Sequence, residues 1–476
     1  MSVLDLGCCN RLGKVNIPGL IIVILFFIIS PCSGQMTDGS NTLDTTTDAV
    51  LQFSHDDFED TTITADVHSE PTGEDVDEMM KKKSMRIGLS YEFAMRYPDI
   101  VRKSRVGIRT DYSKLLFGNT SLIVDAKAFM FLPHDHSDRQ SVLWLNDDSL
   151  NMKVSFGARV RDAYLQSNFN NTSIKVGVQT LAWGESDFAT ITDEISPMDY
   201  REPLNLNVDE LRIGQVMLTV NQYTSFGNLT GFFIPYPLFN QYPRRGTDFY
   251  YDPYEGIASI SYKMDKNKGL PFEAGARWKK TFGKSDISFM AATLINNDYA
   301  LRRWGYNITY QSKLRYSMAG ITFNRAINNF LIRSEVAFKA PKAYADRDQQ
   351  VVKKNNLDAS LGIDYSANST LTMTLEAINY HIIDFDNTVK SAGRDNYMLL
   401  FILTKLFMHN ELSVNWVSMY NGPNPAFFQL LSTTYNWNDR LSLSMDIILP
   451  FTKDQGSSFY TLRNEKQASF KILYQF

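Results

Sequence analysis

Stretches of about ten residues in which apolar and polar side chains alternate one for one recur along this chain from about residue 84 to its last residue. In 441–449, Leu441, Leu443, Met445, Ile447 and Leu449 share one face, opposite Ser442, Ser444, Asp446 and Ile448. Across 370–378, Leu371, Met373, Leu375 and Ala377 oppose Thr370, Thr372, Thr374, Glu376 and Ile378. In 272–279, Phe272, Ala274, Ala276 and Trp278 oppose Glu273, Gly275, Arg277 and Lys279. Successive side chains of a strand point to opposite sides, so each run is a strand with one apolar and one polar face. Roughly ten residues is also the length at which a tilted strand crosses a bilayer, with lipid on one face and water on the other. A soluble sandwich alternates as well, but has no use for 13% aromatic residues gathered near strand ends, where membrane barrels carry interfacial girdles.

The turns between the runs set a topology. Short Asn- or Gly-containing turns fall at Gly118-Asn119, 168–171, Gly227-Asn228, Gly283-Lys284, Asn328-Asn329, Ala367-Asn368, His409-Asn410 and Asn438-Asp439. These residue types tolerate the positive φ that tight hairpins demand. Each interval between them fits two strands and a longer polar loop. Short turns on one side and long loops on the other mark a membrane barrel, the short side being periplasmic. The expectation is an all-β fold, a transmembrane antiparallel β-barrel over 84–476 with about 18 strands; one miscounted turn leaves 16. Either size encloses a water-filled lumen. Asn119, Asn171, Asn228 and Asn368 stand in N-x-S/T triplets and are read as turn residues, not glycan acceptors.

The two ends are different in kind. Arg11 and Lys14 precede an apolar run at 20–29, followed by Ser-Pro-Cys-Ser-Gly, so 1–34 is expected to be a secretory signal. All three cysteines, Cys8, Cys9 and Cys32, lie within it. The exported chain then has no disulfide, and closed backbone hydrogen bonding is one way a large exported protein holds together without any. Residues 35–83 carry nine Asp and four Glu before the first lysine at Lys81, and read as an acidic disordered tail. At the other end Phe470, Ile472, Tyr474 and Phe476 alternate with Ser469, Lys471, Leu473 and Gln475. This closely resembles the C-terminal strand of bacterial outer-membrane barrels, whose terminal aromatic is read by the barrel-assembly machinery. The resemblance implies that machinery as a partner in biogenesis and outer-membrane lipid as the surroundings.

Catalytic constellations are scarce. His134 and His136, in PHDHSD with Asp135 and Asp138, fall in an expected surface loop, and two ligands on a loop make a weak metal site. No P-loop, dinucleotide Gly-rich turn or HExxH motif is present. No local Ser/His pattern of the kind used by outer-membrane phospholipases stands out. A plugged transporter would need a domain far larger than the acidic tail. No enzyme activity, metal, cofactor or nucleic-acid partner is expected.

What remains is transport, and one segment bears on it. After the strand expected at 173–182, residues 184–210 carry Glu185, Asp187, Asp193, Glu194, Asp199, Glu202, Asp209 and Glu210 against Arg201 alone. Folded inward, these acids would face lumen bases such as Arg277, Lys279 and Arg333 across a pore, where charged residues select what passes. Folded outward, the segment would cover the mouth; both directions stay open at this level. VGVQTLAWGESD followed by ISPMDYREPL resembles the V-G-x-Q-x-x-x-W-G-E-S…P-x-D pattern of a family of proteobacterial outer-membrane barrels, a domain of unknown function distantly similar to porins and alginate-export-type barrels. That family commonly has Arg where this chain has Val178. The resemblance implies a porin-like channel for small organic or hydrophobic solutes; the inward reading of the acidic segment puts Trp183, Glu185, Asp187, Asp193, Glu194, Asp199 and Arg201 at its constriction. The alternatives are a surface-binding or adhesion barrel with a blocked lumen and, third, a barrel enzyme.

Overall fold

The structure is a computed structural model and describes residues 84–98, 100–132, 135, 143–147, 152–186, 191–202, 204, 208–243, 261–264, 271–298, 300–304, 308–346, 350–457 and 459–476. The expected signal and acidic tail, with Asp187, His134 and His136, lie outside the described residues. In the main sheet of 19 strands, Leu143–Asp147 only extends Met152–Phe169 at one end. The other 18 pair antiparallel, each with its neighbour in the barrel's sequence order. The ring closes where Ser84–Arg96 pairs with Gln467–Gln475, from Gly88 opposite Gln475 to Arg96 opposite Gln467. In lipid every backbone N–H and C=O must find a partner within the protein, and a ring of strands has no unpaired edge.

Eight short turns connect the strands at one end. Five fall where the sequence places them, with Gly118, Asn170, Gly283 and Asn328 at positive φ there, and the eighth lies one residue on, at Asp439-Arg440. Two are shifted by two residues. The third turn is at Ser225 and Phe226, so Gly227 opens the strand Gly227–Ile234. The sixth is at Ser369 and Thr370, with Asn368 Oδ1 accepting from the Thr370 N–H at 2.9 Å. In both cases the tight turn forms beside the Asn or Gly, not on it. The strand before the acidic segment, Thr172–Gln179, also stops three residues earlier than expected.

The alternation sorts lipid from lumen. Leu375, Leu399, Trp416, Phe427 and Met445 are exposed on the outer face, while their neighbours Glu376, Leu400, Val417, Phe428 and Ser444 are buried on the inner one. Beside the short turns stands a ring of exposed aromatics, including Phe117, Phe169, Phe282, Phe407, Trp437 and Phe476. Amphipathic rings settle at the membrane–water interface, so this ring marks the periplasmic boundary. Phe470, Ile472, Tyr474 and Phe476 share the outer face of the closing strand, and the Phe476 N–H donates to the Ile87 carbonyl at 2.9 Å.

Leu375→Arg puts a charge on the lipid face near the bilayer midplane and should destabilise the barrel by roughly 2–4 kcal/mol. Thr372→Arg, on the inner face of the same strand near the periplasmic end, should cost far less. Denaturant unfolding of both variants in lipid vesicles measures the difference.

Candidate functional site

Past Gln179 the chain leaves the wall and returns only at Gln215. Pro197 cannot donate to a strand ladder, which disfavours continuing the sheet here. The segment folds into the lumen. Trp183 is fully buried, edge-on to Phe232 of the wall with centroids 5.1 Å apart. With Ile191, Ile195 and Leu204 it joins one apolar cluster with wall residues Met217, Ile234, Met290 and Leu294.

A buried carboxylate on the far wall holds the tip. Glu335 Oε1 accepts from the backbone N–H groups of both Glu185 and Ser186, and Oε2 accepts from the Thr192 N–H at 3.2 Å and its hydroxyl at 2.7 Å. A Cβ on Gly184 would come within 3.1 Å of the Asp193 Cβ and 3.4 Å of Glu335 Oε1, so the glycine allows this approach. The Ser186 hydroxyl donates to Glu376. The Glu185 carbonyl accepts from Arg333 at 2.7 Å, while its carboxylate takes Asn324 Nδ2 at 2.7 Å and lies 3.7 Å from Lys279 Nζ. Arg277 stands on the same inward face as Lys279, two residues away. The W-G-E-S stretch is therefore a docking element: an apolar anchor, a close-approach glycine and two consecutive amides aimed at one carboxylate.

The other acids are likewise paired. Asp193 accepts from the Trp183 N–H at 3.2 Å and meets Arg212 at 2.8 Å. Glu194 binds Lys339, Tyr316 and, at 2.7 Å, Lys342. Asp199 is held by Arg201 Nε at 2.7 Å and by Arg159 of the wall. Glu202 meets Arg105 at 2.5 Å and Lys103 at 2.9 Å, and Glu210 meets Lys127 at 3.1 Å. Between this arm and the wall a cavity of about 40 Å³ is lined by Glu92, Arg105, Lys127, Arg159, Asp199 and Glu202 among others. The segment thus reaches from the strands around Arg105 and Lys127 across to those around Glu335 and Glu376.

Burial alone would raise the Glu194 carboxyl, but the ammonium groups of Lys339 and Lys342 overcome it and hold it down at about 2. The same opposition, burial against Arg105 and Lys103, leaves Glu202 well below the usual carboxylate range. Glu210 is lowered against its burial by Lys127 and Lys471.

One sector of the inner wall is apolar. Across four adjacent strands, Leu400, Met419, Phe428 and Pro450 stand opposite one another in one row. Ile402, Val417, Leu430 and Ile448 form the next row, ending at Gln467. A polar row follows toward the periplasm with Thr404, Asn415, Ser432, Asp446 and Ser469. Asn421 borders the panel on the other side, between Met398 and Ala426. The sequence signal was there: in 398–403, MLLFIL, alternation vanishes because both faces are apolar.

Sequence reasoning missed Glu335, Glu376, Asn324, Lys339, Arg105 and Lys127, all inward charges or amides on strands. Asp135, expected in a solvated loop, is instead buried and accepts from the Ser104 N–H at 3.1 Å. On the outer wall His381 Nδ1 lies 2.7 Å from Asp395, and among the described residues no serine hydrogen-bonds a histidine. No group of three potential metal ligands occurs among the described residues.

A family model described as "Protein of unknown function (DUF1302)" matches residues 131–442. No curated protein matches the chain. Among solved structures it is similar to Acinetobacter baumannii OccAB2, at 9% identity over 83% of this chain and 98% of that one, with a TM-score of 0.51. It is similar also to the outer membrane protein opdK of Pseudomonas aeruginosa, at 9% identity over 83% of this chain and 99% of that one, with a TM-score of 0.50. At such identity the likeness is one of fold, that of a closed bacterial outer-membrane barrel.

Because the carboxyls of Glu194, Glu202 and Glu210 are depressed in the folded protein, their contribution to docking is complete above about pH 4.5 and is lost as pH falls, for Glu194 through about 2. The stability lost on Glu202→Gln with Glu210→Gln should therefore be larger at pH 7 than at pH 3, measured by denaturant unfolding of the variant and wild type in lipid vesicles.

Proposed function

The chain belongs to the DUF1302 family of proteins of unknown function, and on that footing we propose that it is an outer-membrane channel for passive diffusion of small organic or hydrophobic solutes, its aperture shaped by residues 181–214. The observation that carries this reading is a lumen of two characters. One sector is a charged rim, where Arg105, Lys127 and Arg159 of the wall meet Glu202, Glu210 and Asp199 of the segment. The other is the apolar panel around Phe428 and Val417. A purely aqueous pore needs no apolar inner wall, since barrels of this size have polar interiors. Charged groups at a narrowing sort what enters, and apolar wall favours the organic body of a solute.

In this reading Glu185, Asp193, Glu194, Asp199 and Arg201 set the shape of the constriction through their wall contacts, and Asp187 belongs to the same stretch. Arg277, Lys279 and Arg333 supply the basic side. Residues 1–34 act as the export signal and 35–83 as a tether. Phe470, Ile472, Tyr474 and Phe476 serve as the signal to the assembly machinery. No residue is assigned a catalytic role. A second reading, a surface-binding barrel with a closed lumen, draws support from the apolar cluster that Trp183, Ile191 and Ile195 build inside the barrel.

Planar-bilayer recording separates the two. Discrete channels from the purified protein support diffusion, whereas a silent bilayer at every voltage supports the closed barrel. In a conducting protein, Glu202→Gln with Glu210→Gln leaves Arg105 and Lys127 without their segment carboxylates, so the reversal potential in a salt gradient should move toward anion selectivity. An unchanged potential would place the rim outside the conduction path.

A further inference from the structure

Around the apolar panel the inner wall carries carboxamides with unmet hydrogen bonds. Both amide atoms of Asn421 lack a hydrogen-bond partner among the described residues, as do Asn415 Oδ1 and Gln467 Oε1. All three side chains are more than nine-tenths buried, with Asn421 at 7% exposure, Asn415 at 4% and Gln467 at 3%. Buried polar groups without partners are rare in folded proteins, and four of the fourteen such atoms among the described residues border this one apolar surface. The acidic neighbour Asp446, by contrast, accepts from Ser432 at 2.6 Å and Ser469 at 3.2 Å.

We propose that this panel is a binding subsite for uncharged amphipathic organic molecules. An apolar or aromatic body lies against Leu400, Met419, Phe428 and Val417, and a hydroxyl or carbonyl group exchanges hydrogen bonds with Asn421. A carboxamide both donates and accepts, so it suits a hydroxyl in either sense. It brings no charge to match that of an ion, and an ion would lose its hydration against the apolar wall. Phe459 and Leu462, from the stretch between Leu441–Phe451 and Gln467–Gln475, belong to the same apolar cluster. The Phe459 ring lies 6.3 Å from that of Phe428. A solute at the panel takes the place of this Phe459 contact. The stretch that carries Phe459 is anchored by Glu465, which meets Arg96 and Arg102 at 2.7 Å each.

The subsite rests on the channel reading, and the test keeps the two apart. The full-length protein is recorded in planar bilayers with increasing 4-methylphenol near neutral pH, where the phenol is uncharged, and with 4-methylbenzoate as its anionic counterpart. Wild type should show current blockades that saturate with 4-methylphenol and need far more 4-methylbenzoate. Asn421→Leu removes the amide at similar volume and should raise the half-blocking concentration roughly five- to a hundredfold. Phe459→Ala should lower it. Folding is checked by heat-modifiable migration, and Gln467→Met, expected to weaken blockade in the same direction, stands in if Asn421→Leu does not fold. Equal blockade of wild type and folded Asn421→Leu, or tighter blockade by 4-methylbenzoate, overturns the subsite. Channels that conduct but never block overturn it too and leave conduction standing. If no channel forms, conduction fails, and calorimetric titration of the protein in nanodiscs decides: saturable 4-methylphenol binding weakened in Asn421→Leu supports the subsite, and its absence overturns it.

Discussion

Everything in this barrel depends on the hydrogen-bonded seam between Ser84–Arg96 and Gln467–Gln475. In the membrane an open sheet edge has no water to satisfy it, so 18 strands are stable only as a ring. Closing the ring fixes an inside, and the inside creates the problem that the rest of the chain answers. Eighteen strands enclose more space than their own side chains fill. The segment between Gln179 and Gln215 occupies part of that space, and it is held there by contacts that a water-exposed loop would not make.

The hold is concentrated on few groups. Glu335 alone receives two consecutive amides at Glu185 and Ser186 and a third amide and a hydroxyl at Thr192. Four hydrogen bonds thus converge on one buried carboxyl group, and away from bulk water their electrostatic part is screened less. The cluster of Glu194 with Lys339 and Lys342, and Lys339 in turn with Asp358 at 2.8 Å, adds a second buried ionic anchor. Removing one partner of such a pair leaves an uncompensated buried charge, so the segment's position is robust as built and sensitive to single changes.

Much of this was legible in the amino-acid sequence. Period-2 faces and Asn/Gly turns are local signals, and they specify which side of each strand meets lipid: Leu375 and Met445 out, Glu376 and Ser444 in. The direction of the acidic segment was not legible, because its partners lie far away along the chain. Glu185 and Thr192 meet residues about 140–150 positions further on, and nothing near Trp183 names Glu335 as the acceptor. Asp135 shows the same limit at shorter range: PHDHSD reads as solvated, yet Asp135 is buried and accepts from the Ser104 amide. The apolar panel was hidden for another reason. Where both faces of a strand are apolar, as in 398–403, period-2 contrast disappears and the pattern gives no inside.

The most direct test of the account is hydrogen exchange at the amides of Glu185, Ser186 and Thr192, measured on the protein in lipid nanodiscs. With the segment docked inside the barrel on Glu335, these three amides should exchange slowly in the wild type and become fast in Glu335→Ala, while amides of strands such as Leu371–Ile383 keep their protection. Wild-type amides that exchange as fast as those of an exposed loop, or that are unaffected by Glu335→Ala, would contradict an inward segment latched to the far wall.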